Sequence, residues 1–273
     1  MFVLADIKWG SPELGETGGN VQWNMDLSEG LVFDENLYEI SDFEDSMRAA
    51  FDAWEDVADI NFVESLNDAE ISVEMAPLPG DTVGLAELTF VNLPETDQFI
   101  DAGLSLDSDE EWAPFGETDL NFYAVAAHEI GHAIGLLHVD DPSQLMNALL
   151  TASDLGEGDI EGAQEIYGEA PVRVFETDDD TNLSFFERFF SLILSVFGLG
   201  GSTVAAATKP APWADTDLPD LSDIIPVTEI LDENGVPYDI ETVVHAVPHP
   251  DSDMEHPPGC GCGCDCGTEW VDV

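Results

Sequence analysis

His128-Glu129-Ile130-Gly131-His132-Ala133-Ile134-Gly135-Leu136-Leu137-His138 gathers three of the chain's six histidines into eleven residues. Residues four apart on a helix share a face one turn apart, so His128 and His132 present two imidazoles to one metal ion. Glu129 lies beside them, close enough to polarise a water at the metal without taking a ligand place. Gly135 has no Cβ and lets the chain leave the helix sharply through positive φ. His138 then swings in as the third ligand. Three protein ligands leave zinc a fourth position for water, the arrangement of catalytic rather than structural sites. The plain alternative is a helix with three unrelated histidines, and the extended spacing argues against it.

The stretch has the form H-E-x-x-H-x-x-G-x-x-H and is followed by Val139-Asp140-Asp141-Pro142-Ser143-Gln144-Leu145-Met146. On these residues the chain resembles the metzincin clan of zinc endopeptidases, whose extended motif precedes a methionine turn. The pairs Asp141-Pro142 and Leu145-Met146 resemble its matrixin branch, and the lead-in resembles bacterial matrixin- and serralysin-type catalytic domains. Serralysins and astacins usually carry a tyrosine two residues after the methionine; here Ala148 stands there.

The resemblance covers about residues 8–168 and implies an α+β fold. Its parts would be a twisted mixed sheet with an edge strand at the cleft, an active-site helix, a Met-turn and a closing C-terminal helix. It implies a zinc metalloendopeptidase with one catalytic zinc on His128, His132 and His138. Glu129 would be the general base and Met146 an apolar floor under the metal. In matrixins a proline and a tyrosine after the methionine line the substrate pocket. Asn147-Ala148-Leu149-Leu150 replaces them here, so pocket depth does not carry over. Animal matrixins also hold a structural zinc on histidines ahead of the active-site helix. Between Met1 and Ala127 there is no histidine, and Leu85 and Ser105 fall at two of those ligand positions. A single zinc is therefore expected. Asp107-Ser108-Asp109-Glu110-Glu111-Trp112 resembles the matrixin segment that holds calcium, with Asp107 and Glu110 as candidate ligands; the alternative is a solvated charge run. The glycine-rich loop that would complete that site is reduced to Pro77-Leu78-Pro79-Gly80-Asp81.

Composition limits the partners. Fifty-nine acidic residues against five Lys and Arg give a formal charge of −54. Such a field repels nucleic acid and anionic membranes and attracts cationic peptides, so neutral or cationic peptides are the expected substrates. The N-terminus, Met1-Phe2-Val3-Leu4-Ala5-Asp6, has neither a basic n-region nor a long apolar run. The expectation is an extracellular protein exported without a Sec signal, through a C-terminal signal compatible with Glu269–Val273; a cytoplasmic protein is the alternative. No propeptide with a cysteine latch is read ahead of the domain.

Along the chain, Asn20–Asp26 alternates as a strand. Phe43, Met47, Ala50, Phe51, Trp54 and Val57 recur at helical spacing from Ser41 to Val57, with Ser41 or Asp42 as N-cap. Ile60–Glu64, Ala69–Met75, Val83–Phe90 and a short Leu104–Asp107 read as strands. In the metzincin layout Val83–Phe90 is the sheet edge where an extended substrate adds as a strand. Phe122–Leu137 is the active-site helix, apolar nearly all round and therefore buried. Ser153 is the expected cap of a helix running to about Tyr167.

Residues 169–273 read as an irregular C-terminal extension. An apolar run at about 183–199 is short for a bilayer span and suits a helix docked on the domain or a surface, with membrane contact through it as the less favoured alternative. A Pro/Asp-rich linker follows, and Val227–Leu231 could pair with Tyr238–Val244 as a hairpin. The Cys/His tail, 245–266, carries Cys260, Cys262, Cys264 and Cys266. These thiolates could bind a soft metal with His245, His249 or His256, form intermolecular disulfides, or sit in an irregular glycine-rich tail. Two rival functions follow: a surface-attached or metal-sequestering protein acting through that tail, and a catalytically silent zinc-binding module. The presence of Glu129 speaks against the second.

Overall fold

The computed structural model describes residues 2–67, 69–94, 96–116, 120–171 and 239–249. These belong to one compact unit, Met1–Val172 with Leu231–Val273; a second unit, Arg173–Ile230, lies outside the described residues. The apolar run 183–199, the expected strand 227–231, His256 and all four cysteines also fall outside them.

The sheet is built from alternation. In β2 (Gly19–Asp26), β3 (Ile60–Glu64) and β4 (Ile71–Ala76), the pairs Val21/Trp23, Ile60/Phe62 and Ile71/Val73 are buried on one face, with polar residues between them. With β5 (Thr82–Val91), β6 (Asp97–Asp107) and β9 (Ile240–Pro248), the order is β3-β2-β4-β6-β5-β9. Strands β3, β2, β4 and β6 run parallel, β5 is antiparallel to β6, and β9 is antiparallel to β5. This is the mixed sheet of an α+β domain.

Parallel neighbours need a crossover, and α1 (Ile40–Glu55) supplies it between β2 and β3. Its stripe of Phe43, Met47, Ala50, Phe51 and Trp54 is wholly buried. The helix begins one residue earlier than expected, with Glu39 rather than Ser41 or Asp42 as N-cap. Asp42 acts instead from the third helical position, its carboxylate accepting the Glu39 N–H at 2.8 Å.

Strand β6 is much longer than Leu104–Asp107, because its first half has partners on both sides. One is β5, and the other is β1 (Ile7–Lys8), parallel to Asp97–Gln98. Lys8 is fully buried there; its Nζ donates to the Glu13 and Glu16 carbonyls at 2.8 Å each, and burial lowers its pKa. A short parallel pair, β7 (Trp112–Ala113) with β8 (Leu120–Asn121), leads into α2 (Phe122–Ala133).

Helix α2 is buried as its composition requires, but it ends at Ala133, not Leu137. Its last carbonyls are taken by side chains: Trp9 Nε1 donates to Ala133 O at 2.7 Å and Tyr167 Oη to Ile134 O at 3.1 Å. Gly135 then turns the chain at φ +98°, where a Cβ would run into the Ile7 carbonyl. The closing helix α3 (Glu157–Tyr167) starts after Gly156, and Ser153 is exposed in the preceding loop. The Asp159 carboxylate accepts the Gly156 N–H at 2.7 Å, and Gln144 Oε1 accepts those of Gly158 and Asp159 at 2.6 and 3.2 Å. These bonds cap the helix from within and from the neighbouring turn, so Ser153 is not needed.

Part of the segment expected to be irregular is thus a sheet strand. β9 includes residues 240–244 of the expected hairpin arm, yet its partner is β5, along a register from Thr82↔Pro248 to Val91↔Ile240. The backbone row of β5 on the side away from β6 is taken up by β9 over an apolar underside, a pairing that local sequence reading cannot weigh.

Candidate metal centre

The α2 helix and the Gly135 turn bring His128, His132 and His138 together, with Nε2 atoms 3.2, 3.1 and 3.1 Å apart. Among the described residues, these three form the one group of His, Cys, Asp or Glu ligand atoms compact enough for an ion. The other ring nitrogens show what the Nε2 atoms carry. His128 Nδ1 lies 2.7 Å from the Leu145 carbonyl and His132 Nδ1 2.8 Å from that of Leu136. A carbonyl only accepts, so each Nδ1 bears the proton and each facing Nε2 a lone pair. Two lone pairs do not bond to each other; converging, they fit a cation. Tetrahedral zinc with nitrogens at about 2.0–2.1 Å puts those nitrogens about 3.3 Å apart, near the observed spacing.

Electrostatics favour the same species. Burial first, and neighbouring imidazoles next, push His128 down to about 3 and His132 well below the ordinary histidine value. Burial, then His245, brings His138 to about 4. All three are neutral at pH 7 and available as ligands.

Glu129 is fully buried, and neither carboxylate oxygen has a hydrogen-bond partner among the described residues. Burial raises its pKa well above the carboxylate range. An orphaned buried carboxylate is costly, so it marks a place where a water or a charge belongs. Its room is made by Gly84 of β5, where a Cβ would collide with Glu129 Oε1 and with Val125.

Met146 lies beneath the helix. It is 1% exposed, and a Cβ on Gly131 would strike its sulfur, so the thioether packs against the α2 backbone at Gly131. Asp159, which local reading missed, fixes that turn: its buried carboxylate accepts the N–H groups of Leu145 at 2.6 Å and Met146 at 3.2 Å. The Leu145 carbonyl in turn orients His128. The available signal was an acidic residue at the third position of a helix just past the methionine.

A fourth histidine reaches the cluster from far along the chain. His245 of β9 stacks on His132, with ring centroids 4.4 Å apart and planes 15° from parallel. In the sequence it is one of three histidines that could join the tail cysteines at a soft metal; in the structure it lies here, 7% exposed, with burial lowering its pKa to about 4. His249 instead lies near Asp81, its N–H donating to the Asp81 carbonyl, and faces Glu110 with Nε2–Oε2 at 3.9 Å.

Asp107 and Glu110, the calcium candidates, sit at and just beyond the end of β6. Asp107 Oδ1 accepts the N–H groups of Leu78 and Asp109, both at 3.1 Å. Leu85 and Ser105 are direct cross-strand partners on β5 and β6.

A family model for matrixins matches residues 22–168, just over half the chain. Interstitial collagenase of Sus scrofa is 31% identical over 189 residues, 63% of this chain and 39% of that protein. Stromelysin-2 of Rattus norvegicus is 32% identical over 139 residues, 46% of this chain and 28% of its own length. Matrilysin of Felis catus is 44% identical over 68 residues, 23% of this chain and 26% of its own. The chain therefore matches well under half the length of these relatives.

Proposed function

Since this chain belongs to the matrixin family, we propose that it is a zinc-dependent endopeptidase cutting protein or peptide substrates, with Glu129 as general base. The observation that carries the proposal is the pair formed by three convergent imidazole Nε2 atoms, two of them held as lone pairs, and an unpartnered buried carboxylate one residue away in sequence. His128, His132 and His138 would hold one zinc, which supplies Lewis acidity toward a water and a peptide carbonyl. The Leu145 and Leu136 carbonyls fix the tautomer and tilt of two of those rings. Glu129 takes the proton from the attacking water and returns it to the leaving amide nitrogen. Its burial favours the protonated form, so it serves as a base only beside a compensating positive charge. Met146 and Gly131 keep the floor apolar and dry.

The acidic field favours neutral or cationic peptides over acidic ones. Family membership and composition together favour an extracellular site of action; among the described residues no helix is long and apolar enough to cross a membrane. Calcium at Asp107 and Glu110 is a secondary proposal, supported by the position of Asp107 at the end of β6 and of Glu110 just beyond it.

The test is cleavage of casein by the full chain, with elemental analysis alongside. About one zinc per chain, and cleavage abolished by a zinc chelator and restored by zinc, is the expected result. A zinc-loaded chain that cuts no unstructured protein, whether or not β9 is displaced, would leave the silent zinc-binding module as the better reading.

A further inference from the structure

The β5 edge beside the cluster is not open. Strand β9 pairs with it antiparallel across Thr82–Val91. The Asn92 N–H donates to the Asp239 carbonyl at 2.9 Å. Antiparallel alternation from that bond turns the N–H groups of Phe90, Leu88, Ala86 and Gly84 toward Glu241, Val243, His245 and Val247. On β9 the side chains of Val243, His245 and Val247 are buried, while Thr242, Val244 and Ala246 face out. The buried side chains therefore lie on the same side as α2. His245 covers His132, and Val247 pairs with Gly84, the residue whose missing Cβ makes room for Glu129. An extended peptide lying on this edge thus meets the cluster at its ligands and at its carboxylate together.

We propose that residues 240–248 are a built-in occupant of the peptide-binding edge: the chain's own C-terminal segment lies where an extended substrate strand would add, and a substrate gains the site only when β9 leaves it. This rests on the endopeptidase reading, and it names what competes for that site. Strand addition gives affinity through main-chain bonds and specificity through alternate side chains. Here the alternate side chains are valine, histidine and valine. The segment carries one carboxylate, Glu241, at its outer end, and none between Thr242 and Pro248. In a chain with 59 acidic residues, this stretch escapes most of the repulsion that acidic segments meet in the field of the whole chain. Because the occupant is part of the same molecule, it competes without dilution, and apparent substrate affinity falls by the fraction of chains in which β9 has left.

The experiment compares the full zinc-loaded chain with Val243→Pro, which deletes an N–H facing β5, and with Thr242→Pro, whose lost N–H faces away. Hydrogen exchange is read at Gly84, Ala86, Leu88 and Phe90, with α2 amides as the measure of an intact core; cleavage of an unstructured peptide is read alongside. The expected result is slow exchange at those four amides in the unmodified and Thr242→Pro chains and fast exchange in Val243→Pro. Cleavage in Val243→Pro should rise about tenfold or more, mainly through a lower KM. A synthetic peptide of residues 239–249 should restore protection and reverse the gain. If Val243→Pro also loosens α2, Val247→Asp takes its place, ejecting the strand by an unpaired buried charge. Fast exchange at the four amides in the unmodified chain overturns the proposal. So does an unchanged KM once they are exposed. Exchange that switches as expected, with the added peptide bound and no chain cutting anything, leaves the occupant standing and removes the endopeptidase reading.

Discussion

The histidine cluster and the strand beside it are assembled at opposite ranges. His128, His132 and His138 meet within eleven residues, through one helix and one glycine turn. His245 arrives on the face of His132 only because β9 adds to a sheet edge more than a hundred residues earlier in sequence. A helix and its exit turn are fixed by spacing and one positive φ. A strand's address depends on which edge is free and what lies under it. The histidine cluster is therefore a local property of the chain and the strand laid over it a long-range one.

The largest expected effect breaks the local side of that contrast. With Glu129 handling a proton rather than the metal, as proposed, Glu129→Ala should keep about one zinc per chain and lose at least about 10²-fold in kcat/KM. Undiminished turnover at equal zinc content would remove Glu129 from the chemistry.

Asp159→Ala should destabilise the fold by about 3 kcal/mol or more, because it strands the N–H groups of Leu145, Met146 and Gly156, and charge-assisted bonds are worth ~1.5–3 kcal/mol each. Urea unfolding measures this. If Asp159 holds the methionine turn in place, zinc affinity should fall as well, through the loosened Leu145 carbonyl at His128.

Charge gives a smaller effect. At low salt a cationic peptide should be cut roughly tenfold faster than an acidic one of the same length. That ratio should shrink as the Debye length falls to about 3 Å near 1 M salt. A preference for acidic peptides at low salt would mean that the field of the whole chain does not reach the cleft.

The smallest effect sharpens the long-range side. Thr242→Ala removes only the exposed hydroxyl contact with Thr89 at 3.1 Å. It should change stability by no more than about 1 kcal/mol and leave zinc content unaltered. A large loss would show that β9 is held by this outward pair rather than by Val243, His245 and Val247 beneath it.

By itself the sequence showed the histidine spacing, the glutamate beside it, the methionine downstream and the alternation of the strands. Each is set by spacing within a few residues, where 3.6- and 2-residue periods leave little choice. It could not set the ends of the helices. α2 stops at Ala133 because Trp9 and Tyr167, from opposite ends of the domain, take its last carbonyls. α3 starts after Gly156 because Gln144 and Asp159 cap it in place of Ser153. Nor could it show that Lys8 would be buried against carbonyls or that β6 would run to eleven residues. Tertiary structure alone decided that the β5 edge is covered by residues 240–248. A backbone edge pairs with whichever strand brings the right buried face, and its distance along the chain enters only as a slowly growing loop entropy.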